Sequence, residues 1–453
     1  MRYIITLFLI TVFSVSWSQQ LDKRTFKNLF QDAEYYFLFE NYKKALDIYQ
    51  EIYDSDAYHA QHNANLNYRI GYCYLKDPVN NYKAFEYLEK AINGLTTDYK
   101  EGSASEYKAP VETYYLLGDA YKNIFEFDKA IFAYQQYETY LDVTEIEELN
   151  RTQRAIQSCK NAKELLLLSE HNFVEATNLG PVVNTAFPEY YPVVSEDTSI
   201  LVFTSRRNDD IYKQNRKDDI DIESNKNEVI VDDAFYDEDI YYSKKIKGQW
   251  STPTKISAQL KTDFESHVVS ISHDGKTLLL AKDEVGLGNV FYSNLYISEL
   301  VNGRWTKAEE IEGINTKGWE SQACLSPDKK TLYFSSEREG GLGGMDIYMS
   351  KKNKEGTWSQ PVNLGPTINT EFNEEFPQIL KDGKTLFFAS QGHFNMGGYD
   401  IFYSRKTEDD WSVPINMGFP INTMEDNKFY FPFGDGTTGF MSMISDEGMG
   451  VED

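Results

Sequence analysis

The sequence predicts a chain with two kinds of folded region: an N-terminal α-helical solenoid and an all-β, five-bladed propeller whose last blade is incomplete. Three observations predict this fold class. Residues 19–170 carry apolar positions three and four apart, which is helical spacing. Residues 171–453 carry landmarks that recur in a fixed order about every 54 residues. Each recurrence holds four short β-branched or aromatic runs, which is typical of a propeller blade.

The first 18 residues, Met1–Ser18, are typical of a secretory signal peptide. Arg2 supplies a positive start, Ile4–Val15 an apolar core, and small residues precede a cleavage point at Gln19. The apolar run is too short to span a bilayer. No Cys follows the cleavage point to carry a lipid anchor. We therefore expect the chain to be exported to the periplasm through the Sec pathway.

Residues 19–170 are predicted to form pairs of helices. Small residues recur at matching places, 12 or 13 residues apart, in three pairs: Ala33 and Ala45, Gly71 and Ala84, and Gly118 and Ala130. Small side chains let two helices approach closely, while neighbouring aromatic residues fill the gap between pairs. Residues 94–110 are predicted to be a loop, and Thr144–Ser169 a closing helix or helix pair.

Recurring residues define the propeller region, residues 171–453. The turn aspartates recur after 77, 54, 54 and 53 residues: Asp197, Asp274, Asp328, Asp382 and Asp435. A polar residue opens the third run of each copy: Asp239, Asn294, Asp346 and Asp400. A tryptophan leads the fourth run: Trp250, Trp305, Trp358 and Trp411. The extra length of the first copy is residues 208–238, which we interpret as an acidic surface loop.

The two ends of the repeat array predict how the ring closes. Phe173 precedes Trp250 by 77 residues, the interval that separates the first two turn aspartates. The segment Phe173–Gly180 is therefore expected to be a fourth strand that completes the last blade and removes an exposed edge. The third-run column next reaches Asp453, so that a third strand of the last blade is expected beyond this residue. The sequence thus predicts a C-terminal continuation.

The composition and the motifs argue against several kinds of site. A net charge of −26 disfavours nucleic acids and anionic membranes. A catalytic or metal role for the turn aspartates is the alternative to a structural one, but Asp-Gly suits a tight hairpin, and recurrence in every copy favours architecture. The Gly-rich loops at 340–344 and 397–398 precede strands, which does not fit phosphate binding. We expect no enzyme activity, no metal and no cofactor.

Two smaller features leave alternatives open. His59 and His62 lie three residues apart, as metal ligands on a helix face can, but no third ligand is evident and a solvated face is the simpler interpretation. The three cysteines, Cys73, Cys159 and Cys324, are too few for a disulfide framework and are interpreted as buried thiols. A Cys73–Cys159 bridge is the alternative.

Two resemblances follow from these residues. The region Leu21–Ser169 resembles tetratricopeptide repeats. The segments Ser326–Ser336 and Met345–Tyr348 resemble the PD40 (WD40-like) repeats also found in the TolB propeller. With a signal peptide in front, the combination resembles the OmpA-family, PorE-type envelope proteins of the type IX secretion and gliding machinery of Bacteroidetes. This resemblance implies a carboxypeptidase-regulatory-like domain and an OmpA-like peptidoglycan-binding domain, both outside this chain.

The expected function is a non-enzymatic, periplasmic protein–protein interaction scaffold whose partners are envelope or secretion-system proteins. The alternative is a ligand-binding propeller, for a glycan, peptide or ion, in an OmpA-like outer-membrane protein associated with peptidoglycan. A hydrolase is disfavoured because no nucleophile–base set or carboxylate pair is confined to one blade. Tyr58, Tyr72 and Tyr115 are candidate partner anchors on the helices, with packing between helices as the alternative.

Overall fold

The structure is a computed structural model that describes residues 23–55, 62–169, 174–207, 238–262, 266–285, 291–408 and 410–442. The chain forms two compact units that divide between Ile156 and Gln157. The signal peptide, Tyr58, His59, Phe173 and nearly all of the 208–238 loop lie outside the described residues. Within those residues, no helix has the length and apolar character needed to cross a membrane.

The first unit consists of helices packed in successive pairs, as the spacing predicts. Seven helices are described, the last of which continues into the second unit: α1 (Lys23–Leu38), α2 (Tyr42–Ser55), α3 (Ala64–Leu75), α4 (Ala84–Ala91), α5 (Thr113–Asn123), α6 (Phe127–Glu138) and α7 (Ile146–Ser169). A Cβ at Gly118 would lie closer than 3.0 Å to the Tyr134 ring, and one at Gly71 equally close to Leu88. These glycines are required because the paired helices approach so closely.

A buried ion pair lies at the centre of the first unit. The Arg69 guanidinium donates to both carboxylate oxygens of Glu34, at 2.8 and 2.7 Å, and lies 4.2 Å from the Phe37 ring centroid. Tyr49 Oη donates to the same carboxylate at 2.5 Å. Arg69 is only 1% exposed. Its charge is therefore compensated inside the helical core by Glu34 and the aromatic ring.

The predicted loop at 94–110 is a packed segment rather than a free connection. It contains two short parallel strands, β1 (Leu95–Thr96) and β2 (Ala109–Pro110). Tyr99 Oη donates to Asn65 Oδ1 at 2.6 Å, and the Asn65 N–H donates to the Tyr107 carbonyl at 3.2 Å. The segment thus covers the part of α3 that carries Asn65, which is 1% exposed.

In its described residues, the second unit contains five antiparallel sheets that follow one another along the chain. The first four have four or five strands: β3 (Glu189–Val194), β4 (Ile200–Ser205), β5 (Asp239–Ile246), β6 (Gln249–Trp250) and β7 (Thr254–Lys255); β8 (Ser266–Ile271), β9 (Thr277–Val285), β10 (Phe291–Val301), β11 (Arg304–Trp305) and β12 (Glu309–Glu310); β13 (Glu320–Leu325), β14 (Thr331–Ser336), β15 (Asp346–Lys351) and β16 (Val362–Asn363); β17 (Glu374–Ile379), β18 (Thr385–Ser390), β19 (Asp400–Arg405) and β20 (Ile415–Asn416). The fifth sheet has two described strands, β21 (Tyr430–Phe433) and β22 (Thr438–Met441). A short helix, α8 (Ser257–Leu260), follows β7.

The sheets form a closed ring, and the second unit is therefore a β-propeller. The first strand of each sheet contacts the first strand of the next, in the order β3, β8, β13, β17 and β21. The fifth sheet then contacts β3 again. One apolar cluster accordingly joins Val193 of the first sheet, Val268 of the second, Phe376 of the fourth and Phe429 just before the fifth.

The repeated residues have structural roles in this ring. Asp328 Oδ1 accepts hydrogen bonds from Ser326 Oγ at 2.7 Å and from the Lys330 N–H at 3.1 Å, in the turn between the first and second strands. The residue after each turn aspartate has a positive φ: Thr198, Gly275, Lys329, Gly383 and Gly436. A left-handed residue at this position is what an Asp-Gly sequence supplies in a tight hairpin turn.

The tryptophans fill the space between neighbouring sheets. The Trp305 ring lies 6.3 Å from that of Tyr242 in the first sheet, and the Trp411 ring lies 6.2 Å from that of Tyr333 in the third. The fourth strands have only two residues each in all four larger sheets. The tryptophans therefore hold adjacent sheets together, while the outermost strands contribute little pairing of their own.

The predicted strand at Phe173–Gly180 is wrong for its described part. Residues 174–180 form no strand, and Leu179 packs against Leu201 and Phe203 of the first sheet. The Asn178 side chain instead accepts the Gly180 N–H at 2.7 Å. The shared Asn-Leu-Gly letters encode this turn, because Asn363 accepts the Gly365 N–H in the same way at 2.8 Å. The sequence similarity between residues 178–180 and 363–365 therefore reflects a shared turn and does not indicate a shared strand.

Candidate binding site at the turn end of the propeller

The turns between first and second strands carry the strongest candidate site. The residue before the turn aspartate is different in every sheet: Glu196, His273, Pro327, Lys381 and Gly434. The aspartate itself is the same in all five, because every turn needs it. A position that varies inside a repeated architecture is free to serve a function other than folding.

Three of these varied residues lie together although they are far apart in the sequence. Glu196 Oε2 lies 3.2 Å from His273 Nδ1, and Glu196 Oε1 lies 3.7 Å from Lys381 Nζ. The Glu196 N–H also donates to the His273 carbonyl at 3.2 Å, which fixes the first turn against the second. The side chains of Glu196 and His273 are mostly buried, whereas that of Lys381 is 64% exposed. We call these three residues the charged triplet.

Glu196 and His273 of the charged triplet line a small cavity that is partly open to solvent. All five sheets contribute to its lining: Val194, Glu196, Ser270, Ile271, His273, Cys324, Leu325, Gln378, Ile379, Phe431, Pro432 and Phe433. Beneath it, Gln378 Nε2 donates to the Val269 carbonyl at 3.2 Å, and Ser270 Oγ lies 3.4 Å from Gln378 Oε1. These contacts cross the propeller centre between the second and fourth sheets and form the floor of the cavity.

Aromatic side chains fill the centre of the propeller at another level. The Tyr191 ring centroid lies 5.1 Å from that of His267, 5.7 Å from that of Phe376 and 5.3 Å from that of Phe429. Tyr191 and Phe376 both have a φ of 55° and lie at bulges in their first strands. A bulge redirects a side chain, here toward the centre. Burial lowers the pKa of His267, so the imidazole is kept neutral in this cluster.

The cavity has polar and charged groups for binding but no activated nucleophile. Burial raises the pKa of the Cys324 thiol to about 12, so it stays protonated at neutral pH. Across the described ranges, no three His, Cys, Asp or Glu side chains are grouped as metal ligands. Lys381 can attract a carboxylate, and Glu196 a cation or a hydrogen-bond donor. The arrangement therefore suits recognition of a polar or charged group at the cavity mouth.

The sequence-predicted anchors lie elsewhere, in the helical unit. Tyr115 is 8% exposed and lies beneath the Arg151 guanidinium, whose carbon is 3.8 Å from the ring centroid. It is therefore not the exposed anchor that the sequence suggested. Tyr72 is half-buried, with its ring 5.0 Å from that of Phe37 and 5.7 Å from that of Tyr42. For these two residues the contacts favour the alternative of packing between helices. Tyr58 is outside the described residues.

The cysteine alternative is also decided. Cys73, Cys159 and Cys324 are buried and none of them is in a disulfide, so the Cys73–Cys159 bridge is not formed. Cys73 is 1% exposed and Cys159 is fully buried, which agrees with their interpretation as buried thiols. His62 lies at the edge of the described residues, and the proposed pairing with His59 cannot be built from them.

Sequence reasoning missed the charged triplet. Each of its members was treated only as a neighbour of a turn aspartate. The signal was present in the differences between copies, since Glu, His, Pro, Lys and Gly occupy one repeated position. Only ring closure brings Glu196 and Lys381 together.

No protein-family model matches the chain, and no curated protein matches it either. Among solved structures, TolB from Acinetobacter baumannii is 15% identical, with a TM-score of 0.31 over 51% of this chain and 44% of that chain. The alpha-L-arabinofuranosidase from Lactobacillus brevis is 16% identical, with a TM-score of 0.36 over 57% of this chain and 83% of that chain. A Mycobacterium tuberculosis puromycin-hydrolyzing peptidase is 10% identical, with a TM-score of 0.32 over 61% and 48%. Sequence identities and TM-scores this low do not support an inference about function. The class of the protein, a helical region followed by a β-propeller, rests on its own sheets and helices.

Proposed function

We propose that this chain is a non-enzymatic interaction scaffold whose propeller binds a segment of a partner protein at the charged triplet. One observation carries the proposal: the residue before the turn aspartate differs in all five sheets, and three of the variants meet as Glu196, His273 and Lys381. The partner side chain would contact Glu196, His273 and Lys381 at the rim of the cavity. Its affinity would come from charge pairing at a partly desolvated rim.

The cellular setting of the proposal rests on the resemblances. The helices are proposed to be tetratricopeptide-like, and the ring to be a five-bladed, PD40-like propeller whose fifth blade is completed by residues outside the described part. Together with the signal peptide, these features favour a PorE-type protein in the periplasm, associated with the outer membrane and with type IX secretion or gliding. Its proposed partners are envelope or secretion-system proteins.

A photo-cross-linking experiment tests the partner site. A benzoylphenylalanine residue is placed at Lys381 and, in a second strain, at Val413, which is 79% exposed on the fourth sheet. We expect position 381 to give a discrete adduct with an envelope protein in the native bacterium and position 413 to give none. Equal labelling from both positions, or no adduct from 381, would overturn the assignment of the site.

A charge-reversal pair makes the test specific. Lys381→Glu places a second carboxylate beside Glu196, and should reduce co-purification of the cross-linked partner about tenfold or more, as expected for loss of a close charge pair. Lys354→Glu is the matched control, because Lys354 is exposed on the outer hairpin of the third sheet. The control should retain wild-type recovery. A loss of similar size in both variants would show that only the overall charge matters.

A small-molecule ligand is the second candidate, and the cavity lined by all five sheets favours it. The occupant would be a glycan, a short peptide or an ion. Thermal-shift measurements with these three classes distinguish it from a protein partner, because a ligand that binds only the folded state raises the melting temperature. A shift that disappears in Gln378→Ala would support the cavity, and the absence of any shift would leave the protein partner as the sole candidate.

A further inference from the structure

Two repeated positions at the end of each sheet away from the turns hold different residues in each of the four larger sheets. One is the ninth residue after the turn aspartate, where the second strand ends. The other directly precedes the polar residue that opens the third strand. The two positions lie side by side because the second and third strands are antiparallel neighbours. In the order of the sheets, the pairs are Arg206 and Glu238, Asp283 and Ser293, Glu337 and Met345, and Gln391 and Tyr399.

In the first, third and fourth sheets, the polar side chains at these positions have partners. Arg206 Nη2 donates to Glu238 Oε1 at 2.9 Å. Glu337 Oε1 accepts a backbone N–H at 3.1 Å, and Gln391 Oε1 accepts a side-chain N–H at 3.0 Å. The Tyr399 hydroxyl donates to a carboxylate. These three sheets are therefore an internal standard for the second sheet.

The second sheet departs from this standard. Asp283 Oδ1 and Ser293 Oγ are both buried, and neither has a hydrogen-bond partner among the described residues. The two residues face each other across β9 and β10. Such neighbours have Cβ atoms about 5 Å apart, close enough for a hydroxyl to donate to a carboxylate. Two oxygens that are close but not bonded to each other are typical of two ligands of one ion.

The start of the third sheet covers this pair. Asp283 and Ser293 lie two residues from Ala281 and Leu295, and alternate residues of a strand share a face. Ala281 and Leu295 pack against the third sheet, so the pair also faces that sheet. Ser293 forms an isolated parallel bridge with Trp319, just before β13, and is 0% exposed. The pair is therefore enclosed between the two sheets.

Gln322 of β13 brings a third unpartnered oxygen to the same face. Its Nε2 lies 3.3 Å from Nε2 of His267, which is paired with Ala281 and therefore shares the face of Asp283. Gln322 is 3% exposed, and its Oε1 has no hydrogen-bond partner in the part of the chain that the structure describes. Asp283 thus lies between Ser293 on one neighbouring strand and His267 on the other, beneath the residues of β13.

The charge of Asp283 is not compensated by its neighbours. The adjacent Lys282 pairs with Glu284 at 3.3 Å. Burial lowers the pKa of His267 and keeps its ring neutral. Within the described ranges Asp283 forms no ion pair, and the unpartnered groups around it are oxygens. A bridging water would satisfy these oxygens but leave the charge, whereas a cation satisfies both.

We propose that Asp283, Ser293 and Gln322 bind a hard divalent cation of the calcium type between the second and third sheets. Carboxylate, hydroxyl and amide oxygens are the ligands that such cations prefer, with water completing the coordination. Because only one ligand is charged, the dissociation constant should be about 10⁻⁴ to 10⁻³ M. The ion joins two sheets at a place where the other sheets use direct contacts.

Titration calorimetry of the full chain, first freed of metal with a chelator, tests the site with Ca²⁺ as the probe. Asp283→Asn keeps the size of the side chain but removes the charge, and should weaken binding about tenfold or more. Glu284→Gln is the matched control, because the Tyr292 and Tyr296 hydroxyls already donate to that carboxylate, at 2.8 and 2.9 Å. Its affinity for Ca²⁺ should stay within about twofold of the wild type.

Terbium luminescence adds a measurement that a purely structural role of Asp283 would not change. Tb³⁺ replaces Ca²⁺ at oxygen sites and emits when a nearby indole is excited. Because Trp319 is bridged to Ser293, the wild type should show this emission, and excess Ca²⁺ should remove it. Trp319→Phe should remove most of the emission without taking away an ion ligand.

Three outcomes would overturn the proposal. The first is no Ca²⁺ binding by the wild type at about ten times the expected dissociation constant, which would leave water as the bridge. The second is equal affinity in the wild type and Asp283→Asn, which would place the ion elsewhere. If Asp283→Asn does not fold, Ser293→Ala takes its place. Wild-type affinity and terbium emission in Ser293→Ala is the third contradicting outcome, and loss of both supports the site.

Discussion

A buried glutamate at the start of the first strand recurs in three sheets with two different environments. Glu189 is paired with Arg207 at 3.0 Å, and Glu320 with Arg338 at 3.2 Å. In the fourth sheet, Gly392 stands where the arginine would be, and Glu374 accepts hydrogen bonds from the Thr370 N–H at 2.7 Å and Ser390 Oγ at 2.6 Å. Glu374 is fully buried, and burial raises the pKa of its carboxyl group.

The raised pKa of Glu374 has a direct consequence for stability. A carboxyl group whose pKa is higher in the folded than in the unfolded state favours the folded state most when it is protonated. Its contribution to the free energy of unfolding therefore decreases as the pH rises from the unfolded pKa of about 4.5 through the raised value, and is constant above it. Once it is ionised, the buried Glu374 carboxylate is a net cost to the fold.

We predict that Glu374→Gln stabilises the propeller by about 1 kcal/mol at pH 8, because the amide keeps an acceptor for Thr370 and carries no charge. The gain should vanish near pH 3, well below the unfolded pKa of about 4.5, where the wild-type carboxyl is protonated in both states. Denaturant unfolding at the two pH values measures the difference.

Glu189→Gln is the paired control at the equivalent position. It should destabilise the propeller by about 3 kcal/mol, because it leaves the Arg207 guanidinium buried without its carboxylate. If Glu374→Gln lowered the free energy of unfolding as much as Glu189→Gln does, the fourth sheet would also need an ionised carboxylate at this position, which would contradict the prediction.

At the scale of the elements, the loops before Asp346 and Asp400, which we call the interlock loops, connect one sheet to the next with backbone contacts. Gly343 fits against the Phe372 carbonyl, and the Asp346 carboxylate holds the loop by accepting the Leu342 N–H at 2.5 Å and the Gly343 N–H at 3.0 Å. A backbone oxygen cannot rotate away as a side chain can. The interlock should therefore be intolerant of even one added methyl group.

We predict that Gly343→Ala lowers the free energy of unfolding of the propeller by about 3 kcal/mol, the cost of overpacking at a rigid contact. Gly356→Ala is the comparison, since Gly356 has a φ of 88° and no atom within 4 Å of an added Cβ. It should cost only about 1 kcal/mol, from the left-handed conformation alone. Urea unfolding of both variants gives the two values, and a smaller loss at Gly343 than at Gly356 would contradict the interlock.

The order of the elements could be predicted from the sequence because each repeat encodes its own local chemistry. An aspartate that caps a hairpin, such as Asp328, and a tryptophan that fills a gap, such as Trp411, mark the same place in each copy. The strand predicted at residues 174–180 was wrong because the Asn-Leu-Gly sequence shared with the third repeat specifies a turn, in which Asn178 accepts the Gly180 N–H. The charged triplet could not be predicted from repeats, since it depends on their differences and on contacts between distant copies.

At the scale of the whole molecule, each unit has a core of its own. The helical core contains Phe30, Tyr49 and Leu66, and the propeller has separate clusters around residues such as Val268 and Phe388. Units with independent cores unfold as separate cooperative transitions unless a large apolar interface couples them. The helical unit also depends on the buried Arg69–Glu34 pair, which the propeller does not share.

We predict two calorimetric transitions that respond to different substitutions. Arg69→Met removes the guanidinium and leaves Glu34 buried without its cation, at a cost of about 3 kcal/mol, and should lower the helical transition by about 10 °C. The propeller transition should stay within about 1 °C of the wild type. Gly343→Ala should show the reverse pattern, with the propeller transition lowered and the helical one unchanged. Differential scanning calorimetry of the wild type and the two variants measures both midpoints. A single transition that moves with both substitutions would mean that the two cores unfold as one cooperative unit, which their separate sets of contacts do not lead us to expect.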